Sequence, residues 1–279
     1  MKKFLFVGII VLASIYRPVF SQSCCKMSAT QQFGQLAMNE KFAAAHEAPL
    51  PLHLESLNGT MITYKCSDGT IAGAYEIKSR QASKNWLIVI HEWWGLNDYI
   101  RREAEKLQSD LGNVNVLAVD LYDGKNAETP GVAQELMGGL KEERARLILQ
   151  GAITYAGPKA KIFTLGWCMG GGWSMQTALL ADNQLGACVM YYGMPESDIS
   201  KLKNLKGDVL GIFGTKDAWI SPEVVSKFQQ NMKTAGKKLT VKNYEADHAF
   251  ANPSNPKHDS TATADAYKLS LDFLKSRMK

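Results

Sequence analysis

The chain has 279 residues, 46% of them hydrophobic and 21% charged, with a formal net charge of +5. That apolar share fills a globular core, and the lack of low-complexity tracts or repeats of solenoid period excludes a disordered or array-built chain. Lys2, Lys3 and Arg17 lie in the first 21 residues with no acid among them, so the remainder carries five less three, +2, which is no electrostatic footprint for nucleic acid.

The opening MKKFLFVGIIVLASIYRPVFSQ places two lysines before an apolar run from Phe4 to about Tyr16, the layout of an export signal. The run is shorter than the ~20 residues of a membrane span. A cut after Ser21, with Val19 and Ser21 as the small residues, leaves 279 − 21 = 258 residues, a length suited to one α/β domain. The chain therefore divides into a signal peptide (1–21), an N-terminal extension (22–55) and an α/β domain (56–279), with the protein exported to a periplasmic or secreted location. Cys24, in SQSC, is the alternative point for a lipid anchor. Five cysteines remain after the cut, and an odd count leaves at least one thiol free or paired between chains. Cys66 and Cys188 sit in strand-like runs and read as buried thiols.

Along the domain, MITYKC and IAGAYEIKS, joined by Ser67, Asp68 and Gly69, predict an antiparallel hairpin. Strand-like runs follow at 85–92, 114–122, 160–166, 186–193, 208–214 and 239–245, several of them apolar throughout, as strands buried on both faces are. Helical patterns at 98–110, 131–156, 171–182, 221–235 and 260–278 alternate with them. This alternation predicts an α/β fold with a mostly parallel central sheet, helices on both faces and an antiparallel N-terminal hairpin. In such a sheet active groups gather at the carboxyl ends of strands.

One of those ends carries Gly166-Trp167-Cys168-Met169-Gly170-Gly171 between a strand and a helix. This is a nucleophile-elbow pattern with cysteine in the nucleophile's place, the alternative being a structural cysteine that fills a tight corner. A sharp strand-to-helix turn leaves no room for Cβ atoms two positions either side, here Gly166 and Gly170, and the helix start favours thiolate. Phosphate binding by a glycine-rich turn is the competing use, but a dinucleotide fingerprint belongs to the first βα unit and Trp167 is bulky.

A cysteine nucleophile needs a base, and the base an orienting group. Asp217 in GIFGTKDAW and His248 in YEADHAF each follow a predicted strand, and the order Cys168, Asp217, His248 is that of α/β-hydrolases. Asp120 precedes the nucleophile, and Asp247 adjoins His248 and points away from it. His46 and His53 in the extension and His258 in a polar loop read as solvated, and His91 at a strand end as structural.

The successive motifs IVIHEWWGLNDYIRREAEKL, VLAVDLYDGK, LGWCMGGG, GTKDAW and YEADHAFANP resemble the dienelactone hydrolase family over about residues 57–279. The resemblance implies an α/β-hydrolase fold, a triad of Cys168, Asp217 and His248, and a role for Glu92 in contact with the thiol, keeping it protonated until substrate arrives. It also implies an oxyanion hole of the Trp93 and Met169 backbone N–H groups, in agreement with the usual pair of donors. Where dienelactone enzymes carry an arginine for the substrate carboxylate, this chain has Asn252, which offers no charged fork and implies substrates at least as often neutral as anionic. Arg144 and Arg146, in the helix before the elbow, could bring positive charge for a substrate anion or form a solvated helix face.

The combined reading is a hydrolase of small-molecule esters or lactones working through a thioester, with no cofactor and no metal site in the residue spacing. A thioesterase or cysteine peptidase, or a binding protein that retains the fold, are the rival readings. The oligomeric state is not legible.

Overall fold

In the computed structural model, residues 27–50, 52 and 57–279 are described. The expected signal peptide, its cut, Cys24, Cys25 and His53 lie outside them. No helix among the described residues is long and apolar enough to cross a membrane.

The described chain opens with two helices that the sequence reading treated as plain extension, α1 (Ala29–Ala37) and α2 (Glu40–Ala44). Ser28 and Gln31 close a reciprocal capping box on α1, and the Asn39 side chain accepts from the Lys41 and Phe42 N–H groups at the start of α2, which satisfies donors a helix cannot satisfy itself. Burial of Ala29, Phe33, Ala37 and Phe42 holds both helices against the domain. Gln134 Nε2 donates to the Ala37 carbonyl at 2.7 Å, and Ser28 Oγ to Glu142 at 2.6 Å.

Next come β1 (Thr60–Lys65), β2 (Ile71–Ile77), β3 (Asn85–Ile90), α3 (Asp98–Leu111), β4 (Asn115–Val119), α4 (Pro130–Gly139), α5 (Glu142–Ala156), β5 (Lys161–Trp167) and α6 (Met169–Ala181). They are followed by β6 (Leu185–Tyr191), α7 (Ile199–Leu202), β7 (Asp208–Gly214), α8 (Pro222–Thr234), β8 (Leu239–Tyr244) and α9 (Ser260–Lys275). The expected helix at 131–156 is two helices. Gly138 and Gly139 weaken it and Leu140 takes an extended conformation, ψ 107°, between them. The short helix α7, capped by Asp198, had no strong periodic signal.

One eight-stranded sheet runs in the order β1-β2-β4-β3-β5-β6-β7-β8. β1 pairs with β2, and β2 with β4, antiparallel; every other neighbour is parallel. The central strands β3, β4, β5 and β6 are buried along nearly their whole length, which is why their sequences are apolar runs rather than alternations. α3 packs against α9, and α5 against α6. Parallel pairing of β3, β5, β6, β7 and β8 brings the loops after those strands to one edge of the sheet.

Cys66 and Cys188 are buried free thiols, as expected. Arg144 is half-buried and does more than face solvent. It bridges Asp123 at 2.5 Å, Thr70 Oγ1 at 2.7 Å and the Ile71 carbonyl at 2.7 Å, clamping the start of α5 to the hairpin.

Candidate active site

The turn from β5 into α6 sets Cys168 at φ 55°, ψ −121°, a conformation that costs a non-glycine residue on the order of 1–3 kcal/mol. Closeness of backbone enforces it. A Cβ on Gly166 would lie 2.1 Å from the Gly170 carbonyl oxygen, and one on Gly170 would lie 2.3 Å from that of Ile90. Tyr192 (φ 35°) after β6 and Ala249 (φ 57°) beside His248 are strained in the same sense, so strain collects around one sulfur.

Three loops converge there. His248 Nε2 lies 3.5 Å from Cys168 Sγ, and His248 Nδ1 lies 2.6 Å from Asp217 Oδ2. The other carboxylate oxygen of Asp217 accepts from the Trp219 and Ile220 N–H groups, each at 2.8 Å. Burial alone would raise the Asp217 pKa, but His248 and these donors hold it below the usual carboxylate value. A lasting carboxylate on Nδ1 fixes the imidazole with its Nε2 toward the sulfur.

Burial, and then the charge of Glu92, push the Cys168 thiol up; the backbone N–H groups of Met169 and Trp93 face the sulfur and pull the other way. The resting form is therefore the thiol. These two N–H groups are the donors expected of an oxyanion hole.

Glu92 differs from its expected place. Its carboxylate accepts from Asn252 Nδ2 at 2.5 Å and from the Tyr192 hydroxyl at 3.4 Å, and it acts on the thiol through its charge rather than by a hydrogen bond. Burial raises its pKa to about 7, against the opposing pull of His248, Tyr192 and Asn252. Asn252, expected against substrate, is turned inward: its Oδ1 accepts from the Ser254 N–H and hydroxyl at 2.9 and 2.8 Å, while its amide nitrogen anchors Glu92. A residue so engaged positions a carboxylate.

The competing candidates have other work. His91 is fully buried, with Nδ1 2.5 Å from the Glu92 carbonyl and Nε2 accepting from the Leu121 N–H at 3.1 Å, the structural role expected. Asp120 accepts from the Tyr122 N–H at 2.8 Å, and Asp247 pairs with Lys257 at 2.9 Å. His258 is half-buried rather than solvated, its Nε2 enclosed beside a cavity of about 280 Å³ that Glu92, Tyr192 and Asn252 also line.

His46 is the residue that sequence reasoning missed. It is 6% exposed, with its ring centre 5.5 Å from that of His248 and 4.9 Å from that of Trp93. Burial, and then the neighbouring His248, lower its pKa to about 4, so it is neutral at pH 7. The available signal was the capping box S-A-T-Q at Ser28 and the apolar spacing after it, which marks the extension as folded; nothing local marks His46 itself.

Phe42, wholly buried, packs on Trp93, Trp219 and His248 at ring distances of 5.4, 5.4 and 5.7 Å. The extension thus roofs the site and leaves Cys168 1% exposed. A cavity of about 660 Å³ between α1 and α6, bordered by Phe33, Met137, Met169 and Trp173, stops short of the sulfur. Phe42→Ala should speed alkylation of Cys168 by a small thiol reagent several-fold and destabilise the fold by about 3–5 kcal/mol. An unchanged labelling rate in the folded variant would mean that reagents reach the sulfur by a path that avoids the roof.

Residues 72–278 match the dienelactone hydrolase family profile. The chain belongs to the dienelactone hydrolase family. The match covers β2 to β8 and the loops that carry Glu92, Cys168, Asp217 and His248, and omits α1, α2, β1 and the His46 segment. Membership makes the protein a hydrolase of the ester and lactone type. The chain is similar to protein usf of Aquifex pyrophilus, 29% identical over 72% of this chain and 93% of that protein. It is also similar to carboxymethylenebutenolidase 1 of Cupriavidus pinatubonensis, 26% identical over 72% and 90% respectively. Among solved structures, a dienelactone hydrolase-like promiscuous phosphotriesterase from metagenomic libraries superposes with a TM-score of 0.66 at 21% identity, over 79% of this chain and 99% of the other. That likeness shows the α/β-hydrolase fold.

Proposed function

We propose that the protein hydrolyses small-molecule esters or lactones with Cys168 as nucleophile, through a thioester acyl-enzyme. The observation that carries this reading is the chain of contacts from Asp217 through His248 to Cys168, 2.6 Å and 3.5 Å long, ending at a sulfur that two backbone N–H groups face.

In this mechanism His248 Nε2 takes the thiol proton as Sγ bonds to the carbonyl carbon, and the carbonyl π pair moves to oxygen, where the Met169 and Trp93 N–H groups receive it. Collapse re-forms the carbonyl and expels the alkoxy oxygen, which takes the proton from His248. Water then gives a proton to His248 as it attacks the thioester carbon, and the second collapse expels the sulfur, which recovers its proton. Asp217 keeps the imidazole oriented and stabilises its charged form. As its carboxyl ionises around pH 7, Glu92 disfavours thiolate beside it until substrate binds, which also suits an exported enzyme because thiolate is the form that oxidises.

Intact-mass analysis of protein quenched during turnover of a slowly hydrolysed aryl ester should show one added acyl group, carried by the peptide containing Cys168. Adduct on a serine, or none on any residue while hydrolysis proceeds, would exclude the thioester route.

We further propose that the chain is exported, on the strength of Lys2, Lys3 and the apolar run behind them. Mass spectrometry of native protein should find a chain beginning near Gln22; a lipid on Cys24 would support the anchor instead, and a retained Met1 would refute both.

A further inference from the structure

A ring nitrogen of His46, Cys168 Sγ and a ring nitrogen of His248 all lie within 4.8 Å of one another, and all three residues are buried. In both histidines Nδ1 is already committed, to the Phe42 carbonyl oxygen at 2.6 Å in His46 and to the Asp217 carboxylate at 2.6 Å in His248. A carbonyl can only accept, so His46 carries its proton on Nδ1 and presents a bare lone pair at Nε2. That buried atom has no hydrogen-bond partner among the described residues, and an unsatisfied buried polar atom is destabilising.

We infer that His46 Nε2, Cys168 Sγ and His248 Nε2 form a binding site for a soft divalent cation of the zinc class, which on binding ties the N-terminal segment to the nucleophile and stops hydrolysis. Two imidazoles and a thiolate are the donor set that zinc takes and that magnesium and calcium, which require oxygen ligands, do not. Each imidazole already has the outer partner on its far nitrogen, one carboxylate and one carbonyl, that histidine ligands of metals use to fix tautomer and ring orientation. The spacing also suits. With Zn–S of about 2.3 Å and Zn–N of about 2.0 Å, tetrahedral coordination places sulfur and nitrogen about 3.5 Å apart, and Cys168 Sγ and His248 Nε2 are 3.5 Å apart before any ion enters. The His46 ring nitrogen, within 4.8 Å of the other two donors, would close in to complete three ligands, leaving the fourth position for water.

The charges balance. The cation displaces one proton from the Cys168 thiol to solvent and forms a metal–sulfur bond, so a dication meets one thiolate. The Asp217 carboxylate, wholly buried behind His248, supplies the second negative charge. A loaded site blocks the nucleophile with its own sulfur lone pair and removes the Nε2 lone pair that would take the thiol proton. Because His46 comes from the extension, the ion also fastens the roof over the site.

The test uses the full chain, freed of metal with a chelator and titrated with Co2+ as a spectroscopic probe and with Zn2+ as an inhibitor. Wild type should bind one equivalent of Co2+ with a near-ultraviolet thiolate-to-cobalt band, and Zn2+ should inhibit hydrolysis reversibly on adding chelator. His46→Phe keeps an aromatic ring in the cluster without a lone pair. It should weaken the Co2+ midpoint and the Zn2+ inhibition, each measured against its own metal-free state, at least tenfold. Cys168→Ala should lose the band altogether. Co2+ and Zn2+ midpoints unchanged in folded His46→Phe, or no thiolate band in wild type, would overturn the site. The cobalt band reports ligation whether or not esters are hydrolysed, so failure of the hydrolytic reading and failure of this one are told apart.

Discussion

Cys168→Ala should lower kcat/KM for a short-chain aryl ester by on the order of 10³-fold or more, because residues that act as one chemical unit lose most of their joint effect when the nucleophile goes. Whatever remains should come from the N–H donors of Met169 and Trp93 and from binding, which stabilise an oxyanion even when water attacks unaided. The fold should survive, since the side chain is small and the elbow is imposed by close backbone approach at Gly166 and Gly170 rather than by the sulfur. Relief of the Asp217–His248 pair from its partner should not alter its 2.6 Å contact. Hydrolysis within tenfold of wild type, measured on protein purified away from other esterases, would remove Cys168 from the mechanism.

Glu92→Gln should stabilise the protein at alkaline pH and leave it unchanged in acid. Burial raises the folded-state pKa of Glu92 from 4.5 to about 7. Between those values the unfolded chain has already released the proton that the folded chain still holds, so the stability associated with the neutral carboxyl is fully present below about pH 4.5 and is lost as pH rises through about 7. A difference of two to three pKa units corresponds to about 3 kcal/mol. Glutamine keeps an oxygen for the Asn252 amide and never charges, so its advantage should grow from nothing at about pH 4 to about 3 kcal/mol at about pH 8, or roughly 6–12 °C in Tm. Parallel melting profiles for the two proteins across that range would show that Glu92 is neutral throughout or compensated elsewhere. If the gap opens as expected, the carboxylate is retained at a cost in stability, as a functional group commonly is.

The strands were legible because β3, β4, β5 and β6 are buried on both faces and read as apolar runs, and two of the breaks in expectation have local causes. The 131–156 pattern carries apolar residues at helical spacing through Gly138 and Gly139, but spacing says nothing about the extended Leu140 that divides it. The helices of the extension were overlooked because α2 has five residues, too few for periodicity to register, although Ser28 and Gln31 announced the start of α1.

The elbow and the relative order of Cys168, Asp217 and His248 were determined by the sequence itself, since a tight turn needs glycine at fixed offsets and strand ends in a parallel sheet share an edge whatever their separation in the chain. Tertiary structure alone decided what surrounds them. Glu92 is held by Asn252 and Tyr192 and meets the thiol through its charge, Arg144 clamps a hairpin, and His46, from a segment outside the family match, ends beside the nucleophile. These outcomes depend on side chains from distant segments competing for the same buried space. No period, cap or motif encodes them; the place of His46, for one, arises only when α1 and α2 bury Phe33 and Phe42 against the domain.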